Sequence, residues 1–346
     1  MNGTPYLTLS AAALAVHLSG AGAIAQDLET QTLEEVAQAA QEEGTIVWYE
    51  SIPLEEAEEV MNDFLADYPD LEFNYVTVGG SQRLARVTQE SLGGGPTADV
   101  LTDVAGSVMM MADRGFVRAV DWEKLGVEPG SENAPNEYML RTNAAVYVTL
   151  YNTNLVDEAD VPKTYDDLLD EKYTGQWGTW ARPNGIVNLL PAWGEEQTRE
   201  YVEALAETRP TLYRNPQAAA EAVGAGEIAM AHFEPYHTAL PTIEKGAPVA
   251  VAFLEPVPVA SLYGYLPEFA EHPNAGKLFL SWLASPEGAA SVERATGRGS
   301  PFSPGTEMSA TMEGMEVSTL TAEEESGRAD EIGALENEIA EMLRGH

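Results

Sequence analysis

The sequence predicts an α/β fold in two lobes, and three observations carry that expectation. Strand-like and helix-like patterns alternate from residue 45 onward. The 346 residues, 44% of them hydrophobic, exceed what one core usually serves. The crossovers between successive strands are long enough to hold helices, which calls for a parallel-rich sheet.

Taken in order, Thr45 to Glu50 is a β-branched and aromatic run, hence a strand. After Ser51-Ile52-Pro53, the apolar positions Ala57, Val60, Met61, Phe64, Leu65 and Tyr68 recur at helical spacing. Pro53 suits a first helical turn, and Glu55 and Glu56 suit the positive end of its dipole. Leu71 to Val78 is a second strand, Gln82 to Leu92 a second helix with Ser81 as its expected N-cap, and Ala98 to Leu101 a third strand. Beyond it, Ala144 to Tyr151, Gly175 to Trp180, Ile228 to Phe233 and Val249 to Leu254 read as strands. Gly185 to Trp193, Glu195 to Thr208 and Pro216 to Val223 read as helices. Pro256-Val257-Pro258-Val259 is an edge or crossover and not a central strand, because proline donates no ladder bond. A helix pair, Asn274 to Leu283 and Pro286 to Ala295, precedes a polar, irregular stretch from Pro304 to Arg328. A terminal helix then places Ile332, Leu335, Ile339, Met342 and Leu343 on one stripe, expected to dock on the body.

Charge narrows the function classes. With 18 Lys and Arg against 56 Asp and Glu, the net charge is −38. That field repels nucleic acid and anionic membrane surfaces. Most of it reads as a hydrated, solvated face of the kind a saline habitat favours. No cysteine is present, which excludes disulfides, thiolate metal sites and Fe–S clusters. The first 26 residues hold no charged side chain, Leu7 to Val16 is apolar, and Ala23-Ile24-Ala25 fits an A-x-A cleavage site. Residues 1–25 are therefore expected to be a secretory signal peptide, although its start lacks the usual Lys or Arg. No membrane insertion is expected of the rest, since no 18-residue apolar run occurs.

No P-loop, nucleophile elbow, H-E-x-x-H pair or dinucleotide fingerprint is present beyond the leader. Three features point instead to small-anion or metal binding. The strand-to-helix junctions at Ser51, Gly80-Ser81 and Asn184-Gly185 would aim unpaired backbone N–H groups outward, where ligands bind in open α/β sheets. Ordinary helix capping explains any one of them; convergence on a cleft would need more. Arg182 and Arg214-Asn215 place scarce basic and amide groups where a carboxylate or phosphate could be held. In His232-Phe233-Glu234-Pro235-Tyr236-His237, imidazole, carboxylate and phenol oxygen are competent metal ligands. That run also leaves open a metal-dependent hydrolase using His232, Glu234 and His237 around an activated water.

The order of residues resembles the periplasmic substrate-binding proteins of ABC importers, in the extracellular solute-binding family that includes ferric-ion receptors. The pieces that carry the resemblance are Ile46 to Ser51, Ala98-Asp99-Val100-Leu101 before Asp103, and Leu150-Tyr151-Asn152-Thr153. They continue with Pro162 to Gly175, Gly226-Glu227-Ile228-Ala229-Met230-Ala231, and Ser285-Pro286-Glu287-Gly288. The resemblance implies a non-enzymatic receptor of the two-lobed, type II periplasmic binding protein architecture. It implies residues 26–146 plus 259–346 in one lobe, 147–258 in the other, and strands crossing near 145–151 and 254–263. Its implied ligand is Fe(III) with a synergistic small anion, or a ferric chelate, delivered by a monomeric periplasmic receptor to an inner-membrane ABC permease. Adjacent tyrosines of ferric receptors correspond here to Tyr236 and His237, with Asp103 as a further acidic metal ligand. The anion would sit on Asn184-Gly185-Ile186 and Asn215. The replacement of one tyrosine by His237 keeps a second ligand open: a phosphonate, carboxylate or phosphate ester bound without metal.

Overall fold

A computed structural model describes residues 31–127, 132–182 and 184–345. The signal peptide expected at residues 1–25 lies outside the described residues. The first segment runs α1 (Leu33–Glu43), β1 (Thr45–Glu50), α2 (Leu54–Asp67), β2 (Glu72–Thr77), α3 (Gly80–Leu92), β3 (Val100–Asp103) and α4 (Ala105–Asp113). The middle runs β4 (Leu140–Asn152), β5 (Trp177–Trp180), α5 (Asn184–Val187), α6 (Leu190–Glu207), β6 (Thr211–Tyr213), α7 (Pro216–Ala225), β7 (Met230–Pro235), α8 (Leu240–Glu244) and β8 (Val249–Ala252). Then come β9 (Val257–Tyr265), α9 (Pro273–Leu283), α10 (Pro286–Thr296), α11 (Glu307–Thr311), β10 (Val317–Ser318), α12 (Ala322–Gly327) and α13 (Ala329–Arg344).

The strands join in the order β2-β1-β3-β9-β4-β7-β5-β6, with β10 on β9 and β8 on β4. β1 is parallel to β2 and β3, and β5 is parallel to β6 and β7, as βαβ crossovers require. The long strands β4 and β9 run antiparallel to each other and to β3, β7 and β8, and link the two parallel groups, while β10 adds to β9 in parallel. β4 changes partner midway: Leu140 to Val146 pair with β9, whereas Tyr147 to Asn152 pair with β7 and β8. The molecule is thus two-lobed, and the chain crosses between the lobes along β4 and β9.

Each lobe has its own core. In the first, Trp48, Phe64, Phe73 and Phe279 meet edge to face at 5.0–5.8 Å where α2 and α9 cover β1 and β2. The returning pair α9 and α10 packs on α1 and α2, so chain from beyond residue 270 completes the core begun by residue 33. In the second, Tyr165, Trp177, Tyr201, Val202 and Leu205 form a cluster with Ile332, Leu335, Ile339 and Leu343. The apolar stripe of α13 therefore docks on α6; the lobe assignment from sequence had grouped it with the first lobe.

Three local expectations are corrected. The helix after β2 begins at Gly80 with Gly79 as its N-cap, so Ser81 falls inside the first turn. Val257–Tyr265 is central to the sheet; its Pro258 is tolerated because the ladder to β4 begins only at Val259↔Val146. The stretch from Pro304 to Arg328 is not irregular throughout, since it holds α11, β10 and α12. α12 starts with a capping box in which Thr321 and Glu324 exchange hydrogen bonds, a short-range signal hidden among polar residues.

Candidate functional site

A cavity of about 1020 Å³ opens between the lobes. From the first lobe it is lined by the β3–α4 junction, including Val104, Gly106 and Ser107. The second lobe contributes Tyr147, Trp180, Asn184, Asn188, His237 and Thr238. Glu325 and Glu336 on the C-terminal helices, with Arg328 between those helices, line one side. Two strand-to-helix junctions thus face one space, each at the carboxyl end of its strand, the place where open α/β sheets bind ligands.

Of the expected residues, Asn184 and His237 line this cavity. Asn184 opens α5, and its carbonyl accepts a hydrogen bond from the Asn188 amide at 3.0 Å. Gly185 allows α5 to lie directly on β4: a Cβ there would fall 2.7 Å from the Tyr147 ring and 3.2 Å from the Phe233 Cβ. Ile186 points into the second-lobe core and is 1% exposed. Arg182 is exposed, and its positive charge acts on Glu336. Burial, with Arg298 adding repulsion, lowers the His237 pKa to about 3, so the imidazole is neutral at physiological pH.

The remaining residues lie elsewhere. Ser51 is bound to its own neighbour: the Glu50 carboxylate accepts from its N–H at 2.6 Å and from its hydroxyl at 2.8 Å. Glu50 itself is buried and held ionised by Arg83 at 3.0 Å and Arg298 at 3.5 Å, which overcome the desolvation that would raise its pKa. Asp103 joins this network, 3.8 Å from Arg83, with its pKa raised by burial. Gly80 does not border the cavity, and the Ser81 side chain lies outside the described residues. The Asn215 side chain accepts from the Ala218 N–H at 2.8 Å as the N-cap of α7. Tyr236 packs on the apolar cluster around Phe253, 6.2 Å between ring centroids, and burial with the nearby Glu307 and Glu293 raises its pKa. Of Tyr236, His237 and Asp103, His237 alone lines the cavity among the described residues. Among the described residues no three His, Cys, Asp or Glu side chains converge as a metal set.

His232 and Glu234 are core groups. His232 meets the Thr149 hydroxyl at 2.7 Å, and Glu234 accepts from the Trp180 N–H at 2.8 Å. Burial lowers His232 to about 3 and raises Glu234 to about 8, leaving both neutral near pH 7.

Sequence reading missed the β3–α4 junction and Glu325. The signal for the first was present: Val104-Ala105-Gly106-Ser107 follows a strand and opens the apolar, helix-spaced run Ala105, Val108, Met111. Glu325 had none, because its carboxylate reaches the Ala105 N–H, at 3.2 Å, across 220 residues of sequence.

A bacterial extracellular solute-binding protein family matches residues 59–314, most of the chain, from within α2 through α11. The chain belongs to that family. Its members matched here are binding proteins, not enzymes, and the hydrolase arrangement has no place among them. A curated relative, the Fe(3+)-binding periplasmic protein of Serratia marcescens, is 23% identical over 289 residues, covering 79% of this chain and 83% of the relative. Iron-bound HitA from Pseudomonas aeruginosa superposes with a TM-score of 0.70 at 21% identity, over 85% of this chain and 99% of that one. AfuA from Actinobacillus pleuropneumoniae, with fructose-6-phosphate bound, gives 0.69 at 18% identity, over 87% and 99%. The solute-binding protein shares its fold with receptors of different ligands. Among the described residues, no helix is long and apolar enough to cross a membrane.

Proposed function

We propose that this solute-binding protein is a periplasmic, monomeric receptor that closes its lobes on a small organic anion and delivers it to an ABC permease of the inner membrane. The anion would be a carboxylate, phosphonate or phosphate ester. The supporting observation is the pair of strand-to-helix junctions, at Val104–Ser107 and at Asn184, that face each other across one cavity. Backbone N–H groups there, with the Asn184, Asn188 and Thr238 side chains, can hold anionic and hydroxyl oxygens without metal. A volume near 1020 Å³ suits an organic solute better than a lone ion.

A ferric chelate is the second reading, favoured by the iron-binding relative in Serratia marcescens and by iron-bound HitA. A chelator supplies its own ligands, so that reading asks little of Tyr236. Refolded, ligand-stripped protein should be screened by thermal shift against phosphate esters, phosphonates, carboxylates and ferric citrate. A true ligand at a hundred times its dissociation constant adds about 2.7 kcal/mol. Stabilisation by bare ferric ion, with a visible band abolished by Tyr236→Phe, would reject the organic-anion reading.

A further inference from the structure

The C-terminal arm enters the same cavity. α12 packs on α4 of the first lobe, while α13 packs on α5 and α6 of the second, so the arm spans the cleft. Its approach to α4 is close: a Cβ on Gly106 would lie 3.3 Å from the Ala329 Cβ and 3.4 Å from the Glu325 carbonyl oxygen. α4 has no side-chain N-cap of its own; Val104 holds that position. The Ala105 N–H instead donates to the Glu325 carboxylate at 3.2 Å. Ala105 lies between Val104 and Gly106, which line the cavity together with Glu325.

We infer that Glu325 is an internal anion seated in the first-lobe half of the binding site, which an incoming anionic solute displaces and which thereby sets the receptor's selectivity. The inference rests on the organic-anion reading above. Glu325 is poorly held for a structural cap. Its charged neighbours are Asp103 and Glu336, both of its own sign, and the Ala105 N–H is its one hydrogen-bond donor among the described residues. Burial and these neighbours raise its pKa to about 7. Glu336, eleven residues on, faces the second-lobe half: it lines the cavity, makes no hydrogen bond among the described residues, and has Arg182 as its cationic neighbour. The arm thus lays one carboxylate toward each half of the anion site. A solute must offer more than one carboxylate's worth of contact to replace them, which disfavours simple inorganic anions.

The test uses the full chain, with inorganic phosphate and citrate as probes, measured by calorimetry and by amide hydrogen exchange. Glu325→Ala should bind phosphate on the order of tenfold tighter than wild type, because the competitor for the Ala105 N–H is gone. Glu325→Gln, which keeps an acceptor without charge and guards against a folding defect, should lie between them. Exchange at Ala105, Gly106 and Ser107 should quicken in Glu325→Ala and slow again when phosphate is added. Equal affinities across the three proteins, with those amides unchanged by phosphate, overturn the role given to Glu325 while leaving the receptor reading intact. Failure of every protein to bind either probe, wild type included, counts against the organic-anion reading and takes this inference with it.

Discussion

Gly185→Ala probes the contact on which the second-lobe half of the site is built. The added Cβ would sit 2.7 Å from Tyr147 Cδ1 and 2.8 Å from its Cγ, roughly 0.7 Å inside ordinary van der Waals contact. Tyr147 is 6% exposed and Phe233, on the far side, 3%. Neither ring can swing away, so α5 must lift off β4. Burying one more methyl would gain about 0.8 kcal/mol, but overpacking a filled site typically costs about 1–3 kcal/mol. The net expectation is a loss of up to about 2 kcal/mol, read from urea unfolding as a lower midpoint with the slope unchanged. Solute affinity should fall as well, because the lifted helix carries Asn184 with it. Gly333→Ala is the matched control, a helical glycine whose Cβ would meet nothing within 4 Å. It should stabilise by about 0.5–1 kcal/mol through helix propensity alone. Gly185→Ala at or above wild-type stability would refute the packing argument.

Asn215→Ala removes the α7 cap and should cost about 0.5–2 kcal/mol without changing solute affinity, since Asn215 does not border the cavity. Stability should fall as pH drops from 6.5 toward 3: the unfolded chain takes up protons at His232 and His237 that the folded chain refuses until about pH 3. Glu234 acts in the opposite sense. Folded, it keeps its proton up to about pH 8, while the unfolded chain loses it near 4.5, so this group's contribution declines as pH rises through that window. Glu234→Gln should flatten that limb in chemical denaturation at stepped pH. Raising salt from 0.05 to about 1 M should raise the melting temperature by screening a net charge of −38; a falling one would mean that specific ion pairs outweigh self-repulsion.

What residues 45–101 disclosed, they disclosed through period: Ala57, Val60, Met61 and Phe64 repeat at helical spacing and all face the core. The order of family-like segments carried the two lobes and the crossing strands in the same way. The position of Asn184 at a strand-to-helix turn was legible for the same local reason. Tyr236 and His237, adjacent in sequence, could not be told apart by pattern. Which of them faces the cleft depends on how the turn after Pro235 packs, and that packing sends Tyr236 toward Phe253 and His237 into the cavity.

By itself the sequence determined the alternation of most strands and helices, the acidic composition and the family resemblance, because each of these is written in short-range spacing or in composition. Tertiary structure alone decided which junctions share a cavity and which carboxylate fills one of them. Ser51 and Asp103 spend their polar groups on a buried ion network drawn from Glu50, Arg83 and Arg298. Glu325 reaches the start of α4 from 220 residues away. Contacts of that span are set by how whole elements pack, and no local pattern of residues encodes them.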